Sequence, residues 1–91
     1  MNSSNPNFLI FPNPSNEKAT ISYHLNTDAF VGIQVIDVLG KSIYQKTPII
    51  QSAGDYSEVI SKNELNLSNG VYFVKLQINN KTHVQKLIIS K

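Results

Sequence analysis

The sequence predicts an all-β fold, and three observations carry that expectation. Apolar residues recur with period two along most of the 91-residue chain. The runs are short. Gly, Asn, Asp and Pro break them at intervals of 8 to 14 residues.

Taken in order, residues 8–11 (Phe-Leu-Ile-Phe) read as a short first strand, ended by Pro12 and Pro14, which lack the amide a ladder needs. Residues 18–25 alternate cleanly. Ala19, Ile21, Tyr23 and Leu25 fall on one face and Thr20, Ser22 and His24 on the other, a spacing no helix can use. Residues 30–38 are apolar on both faces, as expected of a strand covered from two sides. Asp37 to Lys41 reads as a hairpin connection with Gly40 supplying positive φ, and the chain returns through residues 42–45. Ile49 and Ile50 follow Pro48 and suit a sheet edge, and residues 56–60 form the next strand after Gly54-Asp55. Residues 61–67 read as loop or one helical turn. Ser68-Asn69-Gly70 then turns the chain into residues 71–78, Asn79-Asn80 tolerates the left-handed geometry of a two-residue hairpin, and residues 82–90 run back. Seven strands in about 85 residues fit an Ig-like, Greek-key β-sandwich. Residues 1–7, with three Asn and a Pro, read as the tail of a linker, which leaves residues 8–91 as one domain.

Composition narrows the function. With 41% apolar and 15% charged residues the chain is too hydrophobic to be disordered, and without cysteine it offers no disulfide, thiolate nucleophile or thiolate-bound metal. Its eight cations are all lysine, scattered from Lys18 to Lys91, whereas a nucleic-acid reader concentrates arginine among aromatics. The longest apolar run at the N-terminus is four residues, short of a signal-peptide core and of a membrane helix.

Candidate chemistry is sparse. His24 and His83 fall on the expected polar faces of their strands with no Asp or Glu at ligand spacing, so no metal or other cofactor is expected. Nothing resembles a nucleophile elbow, and so small a sandwich has little room for a substrate cleft, which argues against an enzyme. Pro12-Asn13-Pro14 reads as a strand terminator with Asn13 bonding local backbone. Asp37 is placed to accept amides from the turn at Gly40, Gly40 and Gly70 are backbone requirements, and Tyr72 packs its ring while its hydroxyl meets water.

Five segments carry a resemblance: Phe11-Pro12-Asn13-Pro14, Ala19-Thr20-Ile21-Ser22-Tyr23, Asp37-Val38-Leu39-Gly40-Lys41, Leu67-Ser68-Asn69-Gly70-Val71-Tyr72-Phe73-Val74, and Gln85-Lys86-Leu87-Ile88-Ile89-Ser90-Lys91. In that order and spacing the chain resembles the C-terminal sorting domain of type IX secretion cargo, with Phe11 where tyrosine is more usual and lysine where arginine often stands. The resemblance implies a non-enzymatic address label that follows a passenger. Its implied partners are the outer-membrane translocon, its barrel-shaped shuttle and a sortase-type peptidase that commonly cuts within the linker. The implied route is export through the periplasm to the cell surface or medium.

A strand that comes last can lie at a sheet edge, whose unpaired amides and carbonyls another strand can complete. The expected recognition segment is therefore Lys86, Leu87, Ile88, Ile89, Ser90 and Lys91. Leu87 and Ile89 share one face, Ile88 lies on the other, and the lysines offer charge. On this reading, trimming residues 87–91 leaves the rest of the sandwich folded, and an open edge could also pair weakly with a second copy. Two other readings remain. An accessory carbohydrate-binding or adhesive module would need several of Tyr23, Tyr44, Tyr56 and Tyr72 on one face, and a fibronectin-like spacer would be expected to continue past its last strand.

Overall fold

A computed structural model of the chain describes residues 7–90, so the linker expected over residues 1–7 lies, save for Asn7, outside the described residues, as does Lys91. Seven strands and one helical turn follow one another: β1 (Leu9–Phe11), β2 (Lys18–Leu25), β3 (Ala29–Asp37), β4 (Ser42–Gln51), β5 (Gly54–Ser61), α1 (Lys62–Leu65), β6 (Gly70–Ile78) and β7 (Lys81–Ile89). They form two antiparallel sheets, β1-β2-β5 and β4-β3-β6-β7, so the all-β sandwich read from the alternation is the observed fold. The chain changes sheet after β2, after β4 and after β5, which interleaves the two layers.

The inward faces are those the period-two pattern marks. Ala19, Ile21, Tyr23 and Leu25 of β2 pack against Val31, Ile33 and Val35 of β3, Val74 and Leu76 of β6, and Leu87 and Ile89 of β7. Leu67, past the helical turn, and Phe8, ahead of β1, close the core at its margins. β3 corrects one expectation. It is apolar on both faces, yet its outer face is covered only in part: Gly32 is buried, Phe30 is exposed, and Gln34 and Ile36 are half-buried. Its apolar outer residues lie in a central strand rather than in a doubly covered one.

The turns follow from local chemistry. Asn79 takes φ 54° between β6 and β7, and it ties the adjacent β2–β3 corner by accepting the Phe30 amide on its side chain (3.0 Å) while donating its own amide to the Phe30 carbonyl (2.8 Å). Residues 42–45 and Ile49-Ile50 prove to be one edge strand, β4, bulged at Pro48. Val31 pairs with Ile49 but Ile33 with Lys46, so the extra residue of β4 accommodates the proline. Pro48 then leans on Gly32, where a Cβ would sit 3.0 Å from Pro48 Cγ. The expected single turn is present as α1, with the Ser61 hydroxyl accepting the Glu64 amide and Asn66 ending the turn at φ 58°.

Polar and aromatic groups close the seam between β4 and β5. The Tyr44 hydroxyl donates to Glu58 Oε2 (2.6 Å), Lys46 Nζ reaches Glu58 Oε1 (3.3 Å), and the Tyr23 hydroxyl donates to Gln51 Oε1 (2.7 Å) above a stacked Tyr56 ring. The bond to Glu58, with burial and the charge of that carboxylate added, pushes the Tyr44 phenol up to about 12, and burial raises Tyr23 as well. A folded-state value above the unfolded one means that the neutral phenol stabilises the fold below pH 10, and that this contribution is lost as pH climbs through about 12. Urea denaturation from pH 9 to 12 is therefore expected to show stability falling above pH 10, with a shallower fall in Tyr44→Phe.

Candidate functional site

Most of the sequence motifs meet at one end of the sandwich. Asp37 is opposite Tyr72, Tyr72 is opposite Leu87, Gly70 is opposite Ile89, and Ser15 forms a parallel bridge with Ile89. The β3–β4 hairpin tip, the turn into β6, the connection between β1 and β2 and the end of β7 are thus neighbours.

Among the described residues β7 is an edge strand, pairing through its ladder with β6 alone. Its odd-numbered residues face inward at this end: Leu87 is 0% and Ile89 2% exposed. Lys86 and Ile88 project from the outer face beside Phe73 and Val71, their directly opposed partners in β6. The two-faced arrangement expected for residues 86–89 is the observed one. Ser90 follows the strand and is exposed.

The edge itself departs from expectation. Alternate residues of an edge strand turn both backbone groups outward, and at this end of β7 those residues are Lys86, Ile88 and Ser90. Four of their outward groups are already paired. Asn13 Nδ2 donates to the Lys86 carbonyl (2.7 Å), and the Ile88 amide donates to Asn13 Oδ1 (3.0 Å). The Ser15 amide donates to the Ile88 carbonyl and the Ser90 amide to the Ser15 carbonyl, each at 2.8 Å. The Asn13 carboxamide thus takes the place of one peptide unit of an adjoining strand, and the Ser15 backbone continues it. Asn13 does not bond local backbone, as its place between two prolines suggested; it reaches residues 73 and 75 positions away. Ser15 is itself buried, its hydroxyl donating to the Lys18 carbonyl (2.8 Å). Farther back along the edge, Gln85 Nε2 donates to the Phe8 carbonyl (3.1 Å).

Asp37 performs the role read from sequence. Its Oδ1 accepts the amides of Leu39 and Lys41, both at 2.9 Å, while its backbone pairs with Lys41 and Gly40, and Gly40 takes φ 85° to close the turn. The result is a rigid tip that holds Leu39 89% exposed. Tyr72 is buried with its hydroxyl donating to the Ser68 carbonyl (2.7 Å) rather than to water, and Gly70 begins β6 at φ 156°. Pro12 and Pro14 are exposed on either side of Asn13.

The opposite end holds a cleft of about 300 Å³ lined by His24, Leu25, Ala29, Ile78, Asn79 and His83, among others. His24 lies on the outer face, as expected, and Nδ1 stands 2.6 Å from Asp55 Oδ1, a partner that sequence spacing did not reveal because it comes from β5. His83 departs from expectation: it occupies an inward-facing position of β7, opposite buried Leu76. Among the described residues no three His, Asp or Glu side chains gather as a metal-binding group. The tyrosines form no shared exposed platform, since Tyr23 and Tyr72 are buried and Tyr56 stacks on Tyr23, so the carbohydrate-module reading gains nothing.

The family model described as secretion system C-terminal sorting domain matches residues 9–90. Among solved structures, the crystal structure of dimeric latent PorU from Porphyromonas gingivalis is similar in fold, with a TM-score of 0.68 at 22% identity. That likeness covers 90% of this chain and 9% of the other. No curated protein matches the sequence.

Two outcomes follow from the geometry. Asp37→Ala leaves two turn amides to water and is expected to lower unfolding free energy by about 1 kcal/mol in urea, with Asp37→Asn recovering most of it. Deleting residues 87–91 removes two core side chains, each worth roughly 2–5 kcal/mol against a total of about 5–10 kcal/mol. Contrary to the sequence reading, the truncated chain is expected to lose its cooperative unfolding transition.

Proposed function

Because this chain belongs to the family of secretion-system C-terminal sorting domains, matched over residues 9–90, we propose that it is the non-catalytic address label of an exported passenger, read at its terminal strand. The passenger precedes residue 8, crosses the periplasm, and is delivered through the type IX outer-membrane translocon and its shuttle barrel to the cell surface or medium. A sortase-type peptidase cuts the chain within residues 1–7. Lys86, Leu87, Ile88, Ile89, Ser90 and Lys91 form the recognition segment. Weak pairing of two copies is a side effect of the stretch of the same edge that Asn13 and Ser15 leave open.

The observation that best supports this reading is the division of labour in β7. Leu87 and Ile89 anchor the strand in the core, which leaves Lys86 and Ile88 fixed on the outer face beside Val71 and Phe73. A partner can then read side chains whose positions the core already determines, at little further entropic cost. No catalytic step is assigned to any residue; the work is docking.

The test is a fluorescent protein with a signal peptide, fused ahead of residues 1–91 and expressed in a type IX-competent cell. It is expected in the medium or on the surface. Lys86→Glu with Ile88→Asp, which leaves the core untouched, is expected to cut delivery at least about tenfold, corresponding to roughly 1.4 kcal/mol of docking energy, while the isolated domain still melts cooperatively. Retention of the unaltered fusion in the periplasm would refute the assignment.

A further inference from the structure

We propose that the outer edge of β7 is a strand-acceptor site held closed by the chain's own residues 12–16, and that an extended segment of a secretion-machinery polypeptide takes their place. The proposal rests on the sorting role above and concerns how the terminal strand is engaged.

Lys86, Ile88 and Ser90 turn six backbone groups outward where an incoming strand would pair, and Asn13 and Ser15 occupy four of them. The occupant is poorly anchored. It is the connection between β1 and β2, and of Pro12, Asn13, Pro14, Ser15 and Asn16 only Ser15 is buried. Lifting it leaves Phe8, Ile10 and Ala19 where they are, so the core need not open. Asn13 also makes an incomplete strand: one carboxamide satisfies a carbonyl and an amide but adds no continuing backbone, and an incoming chain supplies a full ladder in its place.

The edge also offers a starting point. Thr82 and Val84 turn their backbone groups to the same side, with no partner there among the described residues, and Val84 is 52% exposed. A partner strand can pair first at Thr82 and Val84 and then displace Asn13 and Ser15. Ser15 runs parallel to β7, so a parallel orientation is already accommodated. The partner fits best as an extended polypeptide carrying apolar residues to meet Ile88 and Val84 and a carboxylate to meet Lys86.

Ser15 and Ile89 are Cα partners in the bridge, and the chain has no native cysteine, so Ser15→Cys with Ile89→Cys pins the connection to the strand with one unambiguous disulfide. In the fusion assay the oxidised double variant is expected to stay in the periplasm, delivered at least about tenfold less than the same double variant in cells given a thiol reductant. Equal delivery with and without the reductant overturns the proposal.

Should the double variant not melt cooperatively in isolation, Asn13→Ala decides. Hydrogen exchange at the amides of Ile88 and Ser90 is expected to quicken about tenfold while those of Val74 and Leu76 hold, with delivery no lower than that of the unaltered fusion. Loss of delivery from this variant, with its fold intact, would show that the partner reads the closed edge and would overturn the proposal. Failure of the unaltered fusion to leave the periplasm would instead refute the sorting role itself.

Discussion

The whole arrangement depends on how one strand divides its two faces and two edges. β7 gives an inner face to the core through Leu87 and Ile89 and one edge to β6, and it keeps an outer face and an outer edge. The first two commitments hold it in place. Unpaired backbone groups on the remaining edge would be a template for association with any extended chain. The Asn13 carboxamide and the Ser15 backbone close four of those groups without adding another strand.

The two long sides of the sandwich are closed by different chemistry. On the β4–β5 side, Glu58 draws Tyr44 and Lys46 together, and Tyr23 reaches Gln51 over the Tyr56 ring. These are side chains fixed between two strands of eight and ten residues. On the β1–β7 side, closure falls to a three-residue strand and the connection that follows it. The first side can open only by breaking several side-chain hydrogen bonds together. The second can open by moving a short connection whose buried content is one serine. Such asymmetry confines easy motion to the side that carries the terminal strand.

The legible parts of the molecule are the local ones. Period-two alternation gave the inward face of β2 and the split of residues 86–89, because side-chain direction in a strand depends only on residue parity. The Asp37 turn was legible because a carboxylate bonds amides two and four residues ahead, as was the Asn79 corner, where one side chain tolerates positive φ. What sequence did not reveal joins residues far apart: Asn13 to Ile88, Gln85 to Phe8, His24 to Asp55 and Tyr44 to Glu58. Nothing in the neighbourhood of Asn13 distinguishes an amide that serves its own turn from one that serves a strand 75 positions later. His83 misled for a related reason. Its parity is inward, but at the mouth of the sandwich an inward position borders a cleft rather than the core, and a polar residue there costs little.

The same distinction explains why the edge, and not the core, is the natural place for regulation. A core position answers to many neighbours at once, so changing it alters stability everywhere. An edge position answers to one partner strand, and its outward groups can exchange one set of hydrogen bonds for another with little change in number. Exchange of that kind is nearly neutral in energy, because each bond lost is replaced by one formed. Its direction is then set by small differences: the length of the incoming ladder, contacts to Val84 and Ile88, and the charge opposite Lys86. On the proposed function, a domain that stays closed while its passenger is in transit and opens at one destination gains from placing that choice where the balance is close. At the outer edge of β7, the closed state rests on one carboxamide and one backbone unit.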